Sequence, residues 1–255
     1  MTDPSLLAAV VASDRHYFEL GARTEPLPGG VLLHLPGSAG VGAGTVVWVD
    51  EPNVVAKADD WVDAAATAAR EAGAPVLRVY GLDPAGPAAD RCRVGGLTPR
   101  QELAYVGRRP DGDGIELRPA DGAAGRTARR VVAGAATAAP DGHPVDAEAY
   151  LVGEERRAES GALALFVAWD GGEPVAVVGT LQVGGLLRLK NLLVRPDRRR
   201  EGIARRVTST LLARADAEDR TLGTVALAGD HGERIYRSLG MAVAGEYTEW
   251  SLSLV

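Results

Sequence analysis

The C-terminal half of the chain is written in two hydrophobic periods. Between residues 162 and 194 the apolar positions form three runs, ALALFVAWD (162–170), EPVAVVGTLQV (173–183) and LLRLKNLLV (186–194), separated by Gly171-Gly172 and Gly184-Gly185. Runs of this composition broken by glycine pairs predict an antiparallel meander. After Gly202 the period changes. Ile203, Val207, Leu211 and Ala215 recur every four residues, while Arg205, Arg206, Arg214 and Glu218 fall elsewhere, as an amphipathic helix requires. LGTVALAG (222–229) predicts a further strand, ERIYRSLG (233–240) a short helix ending at Gly240, and EWSLSLV (249–255) a last strand. Upstream, residues ~121–138 and ~146–158 are rich in Ala, Arg and Glu and predict helices, preceded by the strand-like Ile115-Glu116-Leu117-Arg118. The sum is an α+β fold with mixed α/β layers.

The polar stretch RRPDGDGIELRPADG (108–122), with Pro110, Gly112 and Gly114, reads as a joint and places a boundary near residue 111. The part before it can be laid over the part after it. Adding 144 moves Pro52 onto Pro196 and VVWVDEP (46–52) onto KNLLVRP (190–196); it also moves Gly96-Leu97 onto Gly240-Met241 and Arg93 onto Arg237. Between these anchors both parts carry a helix-like stretch and then a β run, so the chain is expected to be an internal duplication.

Composition narrows the chemistry. With 28 Lys+Arg against 34 Asp+Glu the formal net charge is −6, so a general affinity for nucleic acid is not expected. The single Cys92 excludes an intramolecular disulfide and a cysteine-based zinc site, and the four histidines have no ligand spacing, so no metal is expected. No stretch approaches the ~20 apolar residues needed to span a bilayer. The N-terminus has Asp3 where a signal peptide would want positive charge. The expectation is a soluble cytoplasmic protein with no membrane partner.

Against that acidic background one segment stands out: NLLVRPDRRREGIARR (191–206), a strand running into an arginine-rich, glycine-containing turn that opens a helix. The first N–H groups of a helix lack intrahelical partners and the helix dipole favours negative charge there, so such a turn is a ready anion site. A pyrophosphate needs convergent donors and a backbone it can approach closely. Gly202 and Ala204 give the approach, and the arginines give charge-assisted hydrogen bonds of roughly 1.5–3 kcal/mol each.

Val194-x-Pro196-x-x-Arg199-x-x-Gly202-x-Ala204 resembles the signature of the GNAT superfamily of N-acetyltransferases, Q/R-x-x-G-x-G/A after V-x-P. ERIYRSLGM (233–241) resembles the family's downstream A-x-x-L-Y-x-x-x-G-F. The resemblance covers about residues 113–255 and departs from the family at Arg200, Gly229 and Gly232. It implies a GNAT-like fold with a central mixed sheet, and, with the duplication, two tandem GNAT-like domains, 1–110 and 113–255. It implies acetyl-CoA as cosubstrate, with the pyrophosphate held by Arg199, Arg200, Glu201, Gly202, Ile203, Ala204 and Arg205 and the pantetheine arm paired to the backbone of Leu192, Leu193 and Val194. Tyr236 would be the acid that protonates the departing thiolate, and a backbone N–H near Val194 would stabilise the oxyanion formed when an amine attacks the thioester. Gly229, at the family's usual asparagine, could offer only backbone groups.

The base that frees the amine is left open among Asp230, His231 and Glu249, with Thr224 unable to serve alone. The acceptor site is expected around 136–150 and 241–250, where Asp141, His143, Asp146, Glu148 and Glu246 would suit a cationic amine. In the first half the offset places Val55, Ala58, Asp60 and Cys92 at the positions of Arg199, Gly202, Ala204 and Tyr236. Asp59 and Asp60 would repel a pyrophosphate with no arginine nearby, so that half is expected to be degenerate and not to bind CoA. Three classes of function stay open: transfer of an acetyl group to a small-molecule or protein amine, noncatalytic acyl-CoA binding or sensing, and an interaction scaffold. A homodimer is compatible with each.

Overall fold

The computed structural model describes residues 4–38, 44–108, 113–137 and 147–255. The first half contains α1 (Pro4–Glu19), β1 (Arg23–Leu27), β2 (Gly30–His34), β3 (Thr45–Val49), α2 (Pro52–Lys57), α3 (Trp61–Glu71), β4 (Val76–Tyr80), α4 (Pro87–Val94) and β5 (Thr98–Gly107). The second half contains β6 (Glu116–Pro119), α5 (Ala123–Thr137), α6 (Ala147–Ala158), β7 (Leu163–Asp170), β8 (Glu173–Val183) and β9 (Leu186–Val194). It continues with a 3-10 turn at Pro196–Arg198, α7 (Ile203–Ala217), β10 (Thr221–Leu227), α8 (His231–Ser238) and β11 (Ala242–Ser253). The meander is the one the glycine pairs predict: β7 and β8 turn through Gly171 and Gly172, whose φ of 57° and 84° suit a tight hairpin. The last strand begins seven residues earlier than the alternation at 249–255 suggests. Its ladder with β5 shifts register between Val243 and Gly245, and that bulge breaks the period that sequence reading relies on.

All eleven strands form one mixed sheet, in the order β1-β2-β3-β4-β11-β5-β10-β9-β8-β7-β6. The duplication is visible in it. Adding 144 to the bounds of α4 gives 231–238, the bounds of α8, and adding it to Thr98–Gly107 of β5 gives 242–251, inside β11. The halves are nevertheless not side by side as two closed units. Each lends its last strand to the other: β5 lies against β10 from Leu222↔Gly107 to Leu227↔Glu102, and β11 lies against β4 from Trp250↔Val79 to Ser253↔Val76. The two lent strands pair with each other at the centre of the sheet.

Helices cover both faces. Over the second half, α7 buries Ile203, Val207, Leu211 and Leu212 against Leu187, Leu189 and Leu222 of the sheet, which is the face the four-residue period predicts. On the opposite face α1 crosses from one half to the other. Its Val10 packs on Ala104, Leu186 and Ala244, and its Tyr17 and Phe18 pack on Leu33, Trp48, Tyr80 and Leu181. One helix of the first half therefore roofs the strands of the second.

Candidate active site

The site begins where the sheet comes apart. β9 and β10 run parallel but pair only at Thr221↔Leu186, Leu222↔Leu187 and Gly223↔Arg188. Beyond that point the two strands diverge. On its other edge β9 stays with β8, with one residue too many: Gly179 faces Lys190 while Val177 faces Leu193. Asn191 sits in this bulge at φ 51°, a conformation rare for a residue with a side chain, and its amide donates to the Tyr17 hydroxyl at 2.6 Å. An extra residue bends a strand and increases its twist. Here it turns the end of β9 away from β10, and a cavity of about 420 Å³ occupies the fork.

Because strand residues alternate faces, the fork connects the two sides of the sheet. On the α7 side stands Tyr236 of α8, buried, accepting a hydrogen bond from the Thr224 hydroxyl at 3.2 Å. Burial raises its pKa above the ordinary phenol value, against the opposing effects of the Thr224 hydrogen bond and the Arg188 charge, so the phenol stays protonated at neutral pH. Leu192, Val194 and Ala204 line the same cavity. Leu193, facing the other way, packs instead with Val132 of α5 and Val177.

The arginine turn lies at the outer end of this side. Gly202 caps α7 at φ 76°, where any other residue would be strained, and a Cβ placed there would meet nothing within 4 Å. The first rung of the helix is Arg206 N–H to the Gly202 carbonyl at 3.0 Å, so the N–H groups of Ile203 and Ala204 precede the ladder. Not every arginine of the run can face a ligand equally. Arg195 is held by Asp197 at 2.6 Å, while Arg198 and Arg206 grip the two oxygens of Asp170 at 2.8 and 3.0 Å, and Arg198 also binds Glu201 at 2.8 Å. These pairs fix the shape of the turn. Arg200, at φ 66°, and Arg205 are exposed and Arg199 half-buried along its rim. Open space at the glycine, a helix start and arginines along the rim fit a diphosphate. The Gly229 N–H is taken by Glu233 at 2.6 Å.

The α1 side of the fork is built by the first half. Arg188 and Lys190 point there and share Asp14 of α1, at 2.9 and 2.7 Å, and the Tyr247 hydroxyl donates to the same carboxylate. Burial alone would raise the Asp14 pKa, but the two cations outweigh it and hold it at about 2. Burial lowers the pKa of Lys190. Phe18, Tyr80 and Glu102, also from the first half, complete this wall. Glu102 stands on β5 opposite Leu227 of β10 and Tyr247 of β11. Burial first, then the charges of Asp14 and Glu249, push its carboxyl up to about 7, against the Tyr247 hydrogen bond and Lys190.

None of Asp14, Phe18, Tyr80 and Glu102 carries a local sequence signal. They become visible only once α1, β4 and the exchanged β5 are known to meet the second half. Of the expected bases, Asp230 and His231 do line the cavity, Asp230 capping α8 by accepting from the His231 N–H at 2.5 Å. Glu249 does not line it; it is buried and bound by Arg78 at 2.9 Å, Arg100 at 3.6 Å and the Tyr80 hydroxyl. Of the expected acceptor lining, Glu148 pairs with Arg130 at 2.5 Å and Glu246 accepts from Gln101, and neither lines the cavity, while Asp141, His143 and Asp146 lie outside the described residues. Among the described residues no cluster of three His, Cys, Asp or Glu could hold a metal, and no helix is long and apolar enough to cross a membrane.

At the corresponding place in the first half there is no fork. β3 and β4 pair at Val47↔Val79 and Trp48↔Tyr80, and the β2–β3 ladder runs without a bulge from Gly30↔Val49 to His34↔Thr45. A Cβ on Gly81 would collide with the Val49 carbonyl, so the strands stay close past the last pair. The helix cap is Asp60 instead of a glycine. An arginine does reach this turn, contrary to the sequence reading: Arg91 of α4 pairs with Asp59 at 2.6 Å.

Residues 146–250 match the family described as "Acetyltransferase (GNAT) domain". Among solved structures the chain is similar to a GCN5-related N-acetyltransferase from Kribbella flavida, with 17% identity, TM-score 0.62 and coverage of 99% of this chain and 96% of that one. It is also similar to one from Sphaerobacter thermophilus, with 17% identity, TM-score 0.60 and coverage of 98% and 91%. A tandem GNAT protein from the clavulanic acid biosynthesis pathway shares 14% identity at TM-score 0.51, covering 89% of this chain and 79% of its own. At these identities the likeness is one of fold, and it extends over both halves. No curated protein matches the sequence.

Proposed function

We propose that this chain, which carries a GNAT acetyltransferase domain at residues 146–250, transfers an acetyl group from acetyl-CoA to a primary amine. The observation that carries the reading is the convergence of three features on one cavity: the bulged, diverging end of β9, the start of α7 at Ala204 just after the open Gly202 turn, and the buried hydroxyl of Tyr236. When bound, the cosubstrate supplies an activated acyl group. The chain's own residues do the rest. Arg199, Arg200 and Arg205, with the Ile203 and Ala204 N–H groups, would hold the diphosphate, and the unpaired edge of Leu192 and Val194 would hold the arm. Tyr236, kept protonated by burial, would give its proton to the leaving sulfur, and the acceptor amine would enter from the α1 side.

On this reading only the second half binds the cosubstrate. The first half, with its strands closed and an aspartate at the cap, serves as a wall of the acceptor site. A cytoplasmic setting suits a chain whose one cysteine is a buried free thiol. The test is steady-state release of free thiol from acetyl-CoA across a panel of amines, alongside CoA affinity by calorimetry. Turnover with at least one amine supports transfer. Tight CoA binding with no turnover would mark a noncatalytic acyl-CoA module, and no binding would end the reading.

A further inference from the structure

We propose that Glu102, brought into the fork by the exchange of strands, is the group that takes the proton from the acceptor amine. The inference rests on the acyl-transfer reading and adds to it the missing base. Four carboxylates lie near the fork, and three are committed. Asp14 neutralises Arg188 and Lys190 and accepts from Tyr247. Asp230 caps α8. Glu249 is bound by Arg78, Arg100 and Tyr80 outside the cavity.

Two carboxylates, Asp14 and Glu102, combine a place in the cavity wall with a position on the face opposite Tyr236, and Asp14 is already bound by Arg188, Lys190 and Tyr247, which leaves Glu102. Tyr105, three residues on, belongs to the α7 face with Tyr236, its ring 5.5 Å away, and Ala104, two residues on, belongs to the α1 face; alternation puts Glu102 with Ala104. An acid and a base on opposite faces of an opening are what the transfer needs, because the nitrogen loses protons on one side while the sulfur gains one on the other.

The proton count closes. The ammonium of the acceptor gives one proton to the Glu102 carboxylate, and its freed lone pair forms the C–N bond as the C–S bond breaks. The sulfur takes the Tyr236 proton, and the nitrogen sheds a second proton to solvent, from which Tyr236 is recharged. Glu102 then releases its proton, so each turnover yields one amide, one thiol and one net proton.

The groups facing Glu102 tune it for this. Asp14 of α1 and Glu249 of β11 disfavour its charge, while Lys190 of β9 and the Tyr247 hydroxyl favour it, with Arg78 and Tyr80 of β4 and Arg188 of β9 behind them. The net result is a carboxyl titrating at about 7, where it can both accept and release a proton near neutral pH. Since the carboxylate is the active form, the rate must rise with pH through that point.

Two measurements on the full chain test this. In protein labelled with 13C at the glutamate side-chain carboxyls, the resonance lost in Glu102→Gln should titrate near pH 7; a midpoint below about 5 overturns the proposal. In thiol-release assays with acetyl-CoA and spermidine, tyramine or a lysine-containing peptide, Glu102→Gln should lower kcat at least about 100-fold and abolish the limb rising to pH 7, with CoA affinity within about twofold of wild type. Glu102→Asp should recover part of the rate and restore the limb. An unchanged kcat and pH profile in Glu102→Gln overturns the proposal while leaving transfer intact. A wild-type protein that binds no CoA or acetylates none of these amines overturns the transfer reading, and this inference with it.

Discussion

The elements of the first half recur at one offset in the second, which adds β6 and α5, yet the halves treat the end of their middle strands in opposite ways. At positions 47 and 79 the first half pairs its parallel strands; the residues 144 further on, Asn191 and Gly223, are not paired with each other. One residue's difference in the neighbouring ladder accompanies this: a bulge at Asn191 in the second half, none in the first. The caps differ in the same sense, an open left-handed glycine against an aspartate. A fold held in common therefore does not carry the same site geometry in common. What separates the halves is a bulge, a glycine and the few side chains around them, and under the proposed function the capacity to take a cosubstrate lies there.

Substitutions can break this contrast or sharpen it. The largest effect is expected for Gly202→Glu, which forces a side chain into the left-handed cap and places a negative charge where the diphosphate would lie. CoA affinity measured by calorimetry should fall on the order of 10³-fold, about 4 kcal/mol. Affinity close to wild type would remove the turn from the site. Tyr236→Phe should lower turnover about 100-fold while CoA affinity stays near wild type, as expected of an acid used only in the chemical step.

A smaller effect concerns stability. Burial first, then the charges of Asp14 and Glu249, push the Glu102 carboxyl up to about 7 in the folded state from the 4.5 of an unperturbed glutamate, so the folded state holds its proton more tightly than the unfolded chain does. Its contribution is therefore most favourable below pH 4.5, declines as pH rises through 7, and is flat above. Glu102→Gln should accordingly raise Tm by roughly 2–6 °C at pH 8 and leave it unchanged at pH 4.5, as read by differential scanning calorimetry. The smallest effect is expected for Ala58→Glu, the counterpart of Gly202→Glu by the offset of 144. CoA affinity should not move, and a loss would show that the first half also holds cosubstrate.

The sequence discloses the second half well because its signals are local. Glycine pairs mark the meander, the period of four marks α7, and the spacing from Val194 to Ala204 marks the turn. Tyr236 follows from a short downstream motif, and the structure does place it in the same cavity as Leu192, Val194 and Ala204. What stays hidden depends on contacts distant in sequence. Glu102 lies 125 residues from its neighbour Leu227, and Asp14 lies 174 from Arg188. Nothing in TPRQELAYVG announces that it will leave its own half. The offset of 144 finds the duplication and even the bounds of the last strands, but periodicity and spacing describe elements, not which partner an element chooses.

The lending of last strands also bears on how such a molecule can change over time. Two copies that closed separately could diverge freely, and a copy that lost its use could be discarded. Here deletion of the first half would strip β10 of its neighbour and the sheet of its centre, so under the proposed function that half could lose a binding capacity without becoming dispensable. Under the proposed function the first half is kept as a structural dependency, and such a dependency would give selection a standing scaffold on which to place a residue such as Glu102.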